Sequence, residues 1–470
     1  MLFKITNRAR DYAWGSTTLI PDYFGIAATG RPMAEIWFGT HEGSPARLVD
    51  DNQSLTEALG GKQLPFLLKI LAAETPLSIQ AHPNSAQAAE GFARENAAGI
   101  GFQATDRNYK DDRHKPEMIV ALTEFEALCG FKTEKQIRNL LESMLDPTDV
   151  SEGLKSLVSH WLEIFASEDG LQNLFVDITN RRGNLDGVTA ELTQQANLSA
   201  QFELAARLNI LYPGDPGVIL ALLMNHVWLE PGEALFLPAG NIHAYLSGLG
   251  IEIMASSDNV LRGGLTPKHV DVAELQKVLS FVGGPVDLVK TKELSRGLFE
   301  YVAPVDDFIL YRAELSGDVV MADLNIPGAS IVLCTAGEIA VSNSIEERVV
   351  LQRGEAAFTT DLQYRARRMR QKQTAGVLNA VTVDQLVEVA LAHPVGDRAA
   401  DLVLNAPHRC GQVGHLQFGL AVQRAPLKRV ADGGRQRQVF IAWQAELAPG
   451  LHVCVGFDVR RCIGHLWPRL

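Results

Sequence analysis

The strongest constraint on the fold of this 470-residue chain is a change of period along it. Up to about residue 85 the text reads as short apolar runs, 34–39, 65–71 and 76–81, each flanked by Gly or Pro as strands and turns are. From about 86 to 226 the apolar residues recur at helical spacing. Leu154, Leu157, Val158, Trp161, Leu162 and Phe165 fall at i, i+3, i+4, i+7, i+8 and i+11. A second helix is expected where Ile137, Leu140, Leu141, Met144 and Leu145 share a face behind Thr133-x-x-Gln136, the form of a capping box. Strand text resumes over 233–240, 329–343 and 349–359, with Gly at the turns. The expectation is a mainly β protein with an α insertion: β segments 1–85 and 227–300 in one discontinuous module, helices over 86–226, and a second β module over 301–375.

Composition narrows the function. With 46% hydrophobic and 21% charged residues the chain has material for several packed domains. A net charge of -12 argues against a nucleic-acid partner, since a polyanion needs clustered cations to release its counterions. A small anionic substrate needs only a few local cations. The five cysteines are scattered and never form C-x-x-C, so neither a disulfide framework nor a thiolate metal site is expected. No apolar stretch approaches the ~20 residues of a membrane span, and the start lacks a signal-peptide core. A cytoplasmic protein with no membrane partner is the expectation, as a monomer or weak homodimer.

The last hundred residues differ. Residues 361–470 hold 15 Lys plus Arg against 8 Asp plus Glu, whereas the first 360 carry -19. Residues 376–470 therefore read either as a basic appended domain or as translation in a shifted or read-through frame.

Three segments carry metal-ligating chemistry. In Ser78-Ile-Gln80-Ala-His82-Pro-Asn84, alternation puts Gln80 and His82 on one face of a strand, where an amide oxygen and an imidazole can converge on a cation. In His114-Lys115-Pro-Glu117-Met, the apolar run that follows carries Glu117 toward a core, which a solvated charge run would not do. In Gly232-(x5)-Pro238-x-Gly240-(x2)-His243, a strand and a Pro-x-Gly turn present a histidine, at the spacing of the second motif of cupin barrels. Gln80, His82, Glu117 and His243 form a borderline donor set suited to one Zn²⁺, with Mn²⁺, Fe²⁺ and Co²⁺ also admitted. Without Cys ligands the site is expected to be open and catalytic. Farther on, Arg262 precedes two glycines that leave room for a ligand, and a guanidinium suits an oxyanion or phosphate.

Longer runs resemble one family. Pro65-Phe-Leu-Leu-Lys69, Leu77-Ser-Ile-Gln-Ala-His-Pro-Asn84, His114-Lys-Pro-Glu-Met118, Leu229-Glu-Pro-Gly-Glu-Ala-Leu-Phe-Leu-Pro-Ala-Gly240 and Ser257-Asp-Asn-Val-Leu-Arg-Gly-Gly-Leu-Thr-Pro-Lys268 closely resemble type I mannose-6-phosphate isomerases of the cupin superfamily, over about residues 1–360. The resemblance implies two jelly-roll cupin-like barrels with a helical domain, the second barrel metal-free. It implies the same four metal ligands, Arg262 as catalytic arginine, and conversion between mannose 6-phosphate and fructose 6-phosphate through an enediolate. Arg113 departs from the family's usual Asn. For the base that moves the proton, Lys115, Glu252 and Asp258 are candidates; Lys268 and Lys69, with Ser78 and Asp258 beside them, are candidates for holding the substrate. The rival readings are another metal-dependent cupin enzyme, such as an oxygenase, and a sugar-phosphate-binding cupin whose catalytic set has decayed.

Overall fold

The structure, a computed structural model, describes residues 1–147, 150–195, 202–315, 321–343, 345, 347–368, 388–393, 443–447 and 451–455. The molecule is mainly β with helices, and its strands form antiparallel ladders that are open and branched among the described residues. Residues 1–400 make one compact unit and 401–470 another, in which Trp443–Leu447 and Leu451–Val455 form a hairpin. The expectations for the tail otherwise fall outside the described residues.

A nine-stranded sheet is organised by one long strand, His243–Ala255. Its first half pairs with Ile79–Ala81 and Phe125–Phe131, its second with Phe66–Ala73 and Glu117–Ala121. The change of partners follows a register shift between Tyr245 and Ser247. There Gly248 holds φ +117°, and a Cβ on it would lie 2.7 Å from the Glu124 carbonyl oxygen, so only glycine lets the strand turn the corner. The two halves bury different neighbours. Ile251 and Ile253 join the core with Phe66, Leu68 and Ile70, while Ala244 and Leu246 pack against the helices.

Those helices lie where the period changes. Glu134–Ser143 begins at the expected capping box, Thr133 accepting from the Gln136 N–H and Gln136 reaching back to the Thr133 N–H. Leu154, Val158, Trp161 and Phe165 of Glu152–Phe165 are buried together with Ile137, Leu141, Phe175 and Leu208. Two strands, Glu117–Ala121 and Phe125–Phe131, are embedded in this otherwise helical stretch and belong to the nine-stranded sheet.

The ten-stranded sheet holds most of the strands after residue 290. The first strand of the chain, Leu2–Thr6, is also part of it, paired with Ala356–Arg368. Glu388–His393, inside the stretch read as an atypical tail, lies between Ile309–Glu314 and Met321–Cys334. No helix among the described residues is long and apolar enough to cross a membrane.

Candidate active site

Three strand ends deliver the metal candidates to one point. Ile79–Ala81 ends just before His82, Glu117 starts Glu117–Ala121, and His243 starts His243–Ala255. Gln80 pairs in register with His243 on one side and Arg262 on the other. The Pro-x-Gly turn before His243 is fixed by Gly240, at φ +77°, whose N–H donates to the His82 carbonyl at 2.8 Å.

The imidazoles and the carboxylate face one another in the interior, each at most 1% exposed. His82 Nε2 lies 3.2 Å and His243 Nε2 3.3 Å from Glu117 Oε2. His82 Nδ1 is 2.7 Å from the Asn259 carbonyl and His243 Nδ1 3.1 Å from the Asn241 carbonyl, so each ring's proton belongs on Nδ1. Burial, reinforced by Lys115 and His243 and opposed by Glu117, pulls the His82 pKa down to about 4, which keeps that ring neutral. Three lone pairs then converge with no hydrogen-bond partner on His82 Nε2, His243 Nε2 or Glu117 Oε2.

Orphaned buried acceptors repel one another unless a cation sits among them. Tetrahedral Zn²⁺ bonds of about 2.0–2.1 Å give ligand-to-ligand edges of about 3.3 Å, the separation found here. The residues present therefore fit a divalent metal. His82, Glu117 and His243 form the cluster with metal-binding geometry among the described residues.

Behind this cluster runs a buried array of charges. Lys115 Nζ is 2.8 Å from Glu117 Oε1. Burial works against the Glu117 charge, but the Lys115 ammonium outweighs it and holds the Glu117 pKa well below the usual carboxylate range. Lys69 Nζ reaches Glu252 Oε2 at 2.8 Å and Glu35 Oε1 at 3.5 Å, Trp37 Nε1 donates to Glu35, and the Tyr245 hydroxyl donates to Glu252 Oε1 at 3.1 Å. Burial lowers Lys69's preference for its proton, yet Glu252, Glu35 and Glu117 outweigh it and hold Lys69 protonated. Glu252 goes the other way. Burial raises its pKa, Lys69 and Lys115 hold it down, and Glu117 and Glu35 push it up.

The outer residues divide into engaged and free groups. Asp258 is exposed, 3.2 Å from His41 Nε2, while its N–H donates to Asp111. Ser78 is half-buried at the start of the Gln80 segment. Arg113 is exposed beside Asp111. The half-buried Arg262 guanidinium pairs with no carboxylate among the described residues, and burial lowers its pKa. The exposed Lys268 has its pKa lowered first by Arg262, then by burial, so two cations stand together with no acid between them among the described residues. The glycines after Arg262 do not all clear space for a ligand as expected. A Cβ on Gly264 would lie 2.6 Å from Gly217 Cα, so that glycine lets the helix Pro216–Leu223 approach.

The sequence reading assigned no role to Asn259, which ties the site together. Its carbonyl holds His82, its Oδ1 accepts from the Lys110 N–H at 2.7 Å, and its amide donates to the carbonyls of Asp111 and Arg113. It lies inside the quoted Ser257–Lys268 motif, but a backbone carbonyl that orients a distant ring leaves no mark on residue type. Glu35 and Tyr245 were missed for a similar reason, Glu35 standing inside an apolar strand run and Tyr245 outside every motif.

Comparison with known proteins bears on this arrangement. The family described as phosphomannose isomerase type I, catalytic domain, matches residues 2–134. The mannose-6-phosphate isomerase of Salmonella typhimurium is 38% identical over 377 residues, covering 76% of this chain and 94% of the relative. The chain belongs to the type I mannose-6-phosphate isomerase family. Its human relative is 33% identical over 404 residues, covering 76% of this chain and 93% of that one. A crystal structure of mannose 6-phosphate isomerase bound with zinc and yttrium superposes with a TM-score of 0.72 at 34% identity, covering 84% of this chain and 99% of that one. A second, zinc-bound structure matches with a TM-score of 0.71.

Proposed function

We infer that this family member is a zinc-dependent mannose-6-phosphate isomerase, interconverting mannose 6-phosphate and fructose 6-phosphate through an enediolate. The observation that carries the reading is the convergence of the orphaned His82, Glu117 and His243 atoms in a chain that spans nearly the whole length of relatives bearing that name. The same observations favour it over a decayed binder or an oxygenase-like cupin. Zinc is the metal of the structural relatives. In this chain His82, Glu117 and His243 would hold it, with the Gln80 amide oxygen as fourth protein ligand. A bound Zn²⁺ supplies Lewis-acid stabilisation of negative charge on the substrate oxygens.

The chain's own groups do the rest. Arg262, an unpaired cation at the same mouth, stabilises the charge that develops as the C2 or C1 proton leaves. Lys115 and Glu252 flank the metal cluster and are the pair to move that proton, Glu252 supported by Lys69 and Tyr245. Lys268 sits beside Arg262 with no carboxylate paired to it among the described residues, a fitting phosphate partner, with Ser78 and Asp258 contributing hydrogen bonds. Lys69 is held inward by two carboxylates, which favours support of Glu252 over contact with phosphate.

The wider reading is two cupin-like jelly-roll barrels. The catalytic one draws on 1–85 and 227–300 together with the strands Glu117–Ala121 and Phe125–Phe131, the helical domain is the rest of 86–226, and the metal-free barrel is 301–375 joined by Leu2–Thr6. The protein acts on a small sugar phosphate in the cytoplasm as a monomer or weak homodimer, with no nucleic acid or membrane partner.

The test is a coupled assay of fructose 6-phosphate formed from mannose 6-phosphate, before and after chelation and after adding back Zn²⁺. Chelated protein is expected to be inactive and Zn²⁺ to restore it. A protein that neither holds a divalent ion nor gains activity with Zn²⁺, Mn²⁺ or Co²⁺ removes the isomerase reading.

A further inference from the structure

The nine-stranded sheet carries a second concave site on the far side of the strand Phe125–Phe131. One edge of that strand pairs with His243–Ala255 and the other with Met224–Leu229. Beside Met224–Leu229, and between the helices Glu134–Ser143 and Glu203–Leu211, opens a cavity of about 720 Å³. A cavity of that size falls in the ordinary range for small ligands.

One wall is cationic. The Lys132 ammonium donates to the Leu222 carbonyl at 2.6 Å, and no carboxylate among the described residues pairs with it. Burial alone pushes its pKa down to about 8, the response of an ammonium taken from water with nothing opposite. Arg207 and His226 stand on the same wall and share one buried carboxylate, Glu126, Arg207 Nη1 at 2.9 Å and His226 Nε2 at 2.6 Å. Glu126 thus fixes their positions without balancing Lys132. The deeper part of the other wall is apolar, Leu140 and Leu204 with the half-exposed Trp228 ring, while Gln136, Asn139 and the Glu203 carboxylate line the exposed rim, Glu203 exerting no pull on Lys132.

We propose that this cavity binds a small organic anion with a flat apolar body, its charge on Lys132 and its body against Trp228 and Leu204. The bound anion supplies the counter-charge that Lys132 lacks, and the aromatic wall adds area without ordering a long side chain. The site is separate from the metal centre and stands whether or not the isomerase assignment does.

Calorimetric titration of the zinc-loaded full chain tests it, with mannose 6-phosphate saturating so that anions compete only weakly at the metal site. Phenyl phosphate and benzoate are the probes for the two anion types, and phenol is the uncharged control. The expected result is one equivalent of phenyl phosphate or benzoate bound, no binding of phenol, and at least a tenfold weaker affinity in Lys132→Gln. Asn139→Trp, on the exposed face of Glu134–Ser143 beside the cavity, is expected to block binding without touching the core, and it decides the matter should Lys132→Gln fold poorly. Both variants should keep the wild-type kcat. Anion binding that mannose 6-phosphate abolishes, equal affinity in both variants, or phenol binding as tightly as benzoate would each overturn the proposal.

Discussion

The two β sheets read alike in sequence but spend their interiors differently. In the nine-stranded sheet Lys69, Glu252, Glu117, Lys115, His82 and His243 are all buried, and their charges are answered by one another. In the ten-stranded sheet the corresponding interior among the described residues is Leu2, Leu298, Val332, Ile339, Val341, Leu351 and Ala357, with Ser330 and Thr359 as buried hydroxyls. Buried ion pairs rarely repay their desolvation, whereas packed aliphatic residues do. One sheet therefore gives up stability to hold charge at a defined place, and the other supplies packing.

The contrast breaks most sharply if a ligand is deleted. Glu117→Ala is expected to lose the metal and to lower kcat by about 10³ or more, since Lewis-acid stabilisation is worth several kcal/mol. Metal analysis of the purified variant together with the coupled assay checks both halves, and a variant with normal kcat would mean that the cluster is structural.

Stability changes should next separate the sheets. Lys69→Met leaves Glu252 and Glu35 buried without their cation and is expected to cost about 3–5 kcal/mol in urea unfolding. Adding Glu252→Gln should recover part of that loss, because the stranded charge is gone. Phe358→Ala in the other sheet, where Phe358 is fully buried, is expected to cost about 3–5 kcal/mol as well, through a cavity, yet to leave the kcat of the folded fraction unchanged. A Phe358→Ala protein that folds but turns over slowly would show that the second sheet shapes the site directly.

Arg262→Ala comes third. A fall of about 10² in kcat with the metal retained is expected for loss of a transition-state contact. Unchanged kcat with raised KM would assign Arg262 to uniform substrate binding.

The smallest effect lies between the metal segment and residue 307. His114 Nε2 is 2.9 Å from Asp307 Oδ1, and that hydrogen bond raises the His114 pKa against the opposing effect of partial burial. A raised histidine pKa contributes stability that is complete below the unfolded value of about 6.5 and is lost as pH climbs through the folded one. Because the pair is about a third exposed at His114, the contribution is set at roughly a few tenths of a kcal/mol. Asp307→Asn should flatten the pH dependence of unfolding in that window, and identical curves for variant and wild type would remove the pair as a contributor.

Much of the candidate site was legible in the sequence. His82, Glu117 and His243 were found because each sits in a local pattern with a mechanical reason: two residues along a strand, a charge leading into an apolar run, a turn that presents a ring. Gln80 and Arg262 were named by the same means, and the register places them side by side. The roles left open, base and phosphate partner, depend on which cations already have partners. Lys69 and Lys268 look alike in the chain, but one is bound by two carboxylates and the other stands beside a second cation.

By itself the sequence determined the class of several segments, because apolar period and turn chemistry act over a few residues: the helix behind Thr133-x-x-Gln136 and the strands read at 65–71 and 233–240. Tertiary structure alone decided what depends on distant pairing. Leu2–Thr6 joins Ala356–Arg368, and Glu388–His393 fills a place between Ile309–Glu314 and Met321–Cys334, since strand partners are chosen by the edges left open elsewhere. It also decided that three lone pairs from positions 82, 117 and 243 meet unanswered, because that result depends on the register of His243–Ala255 against two strands at once.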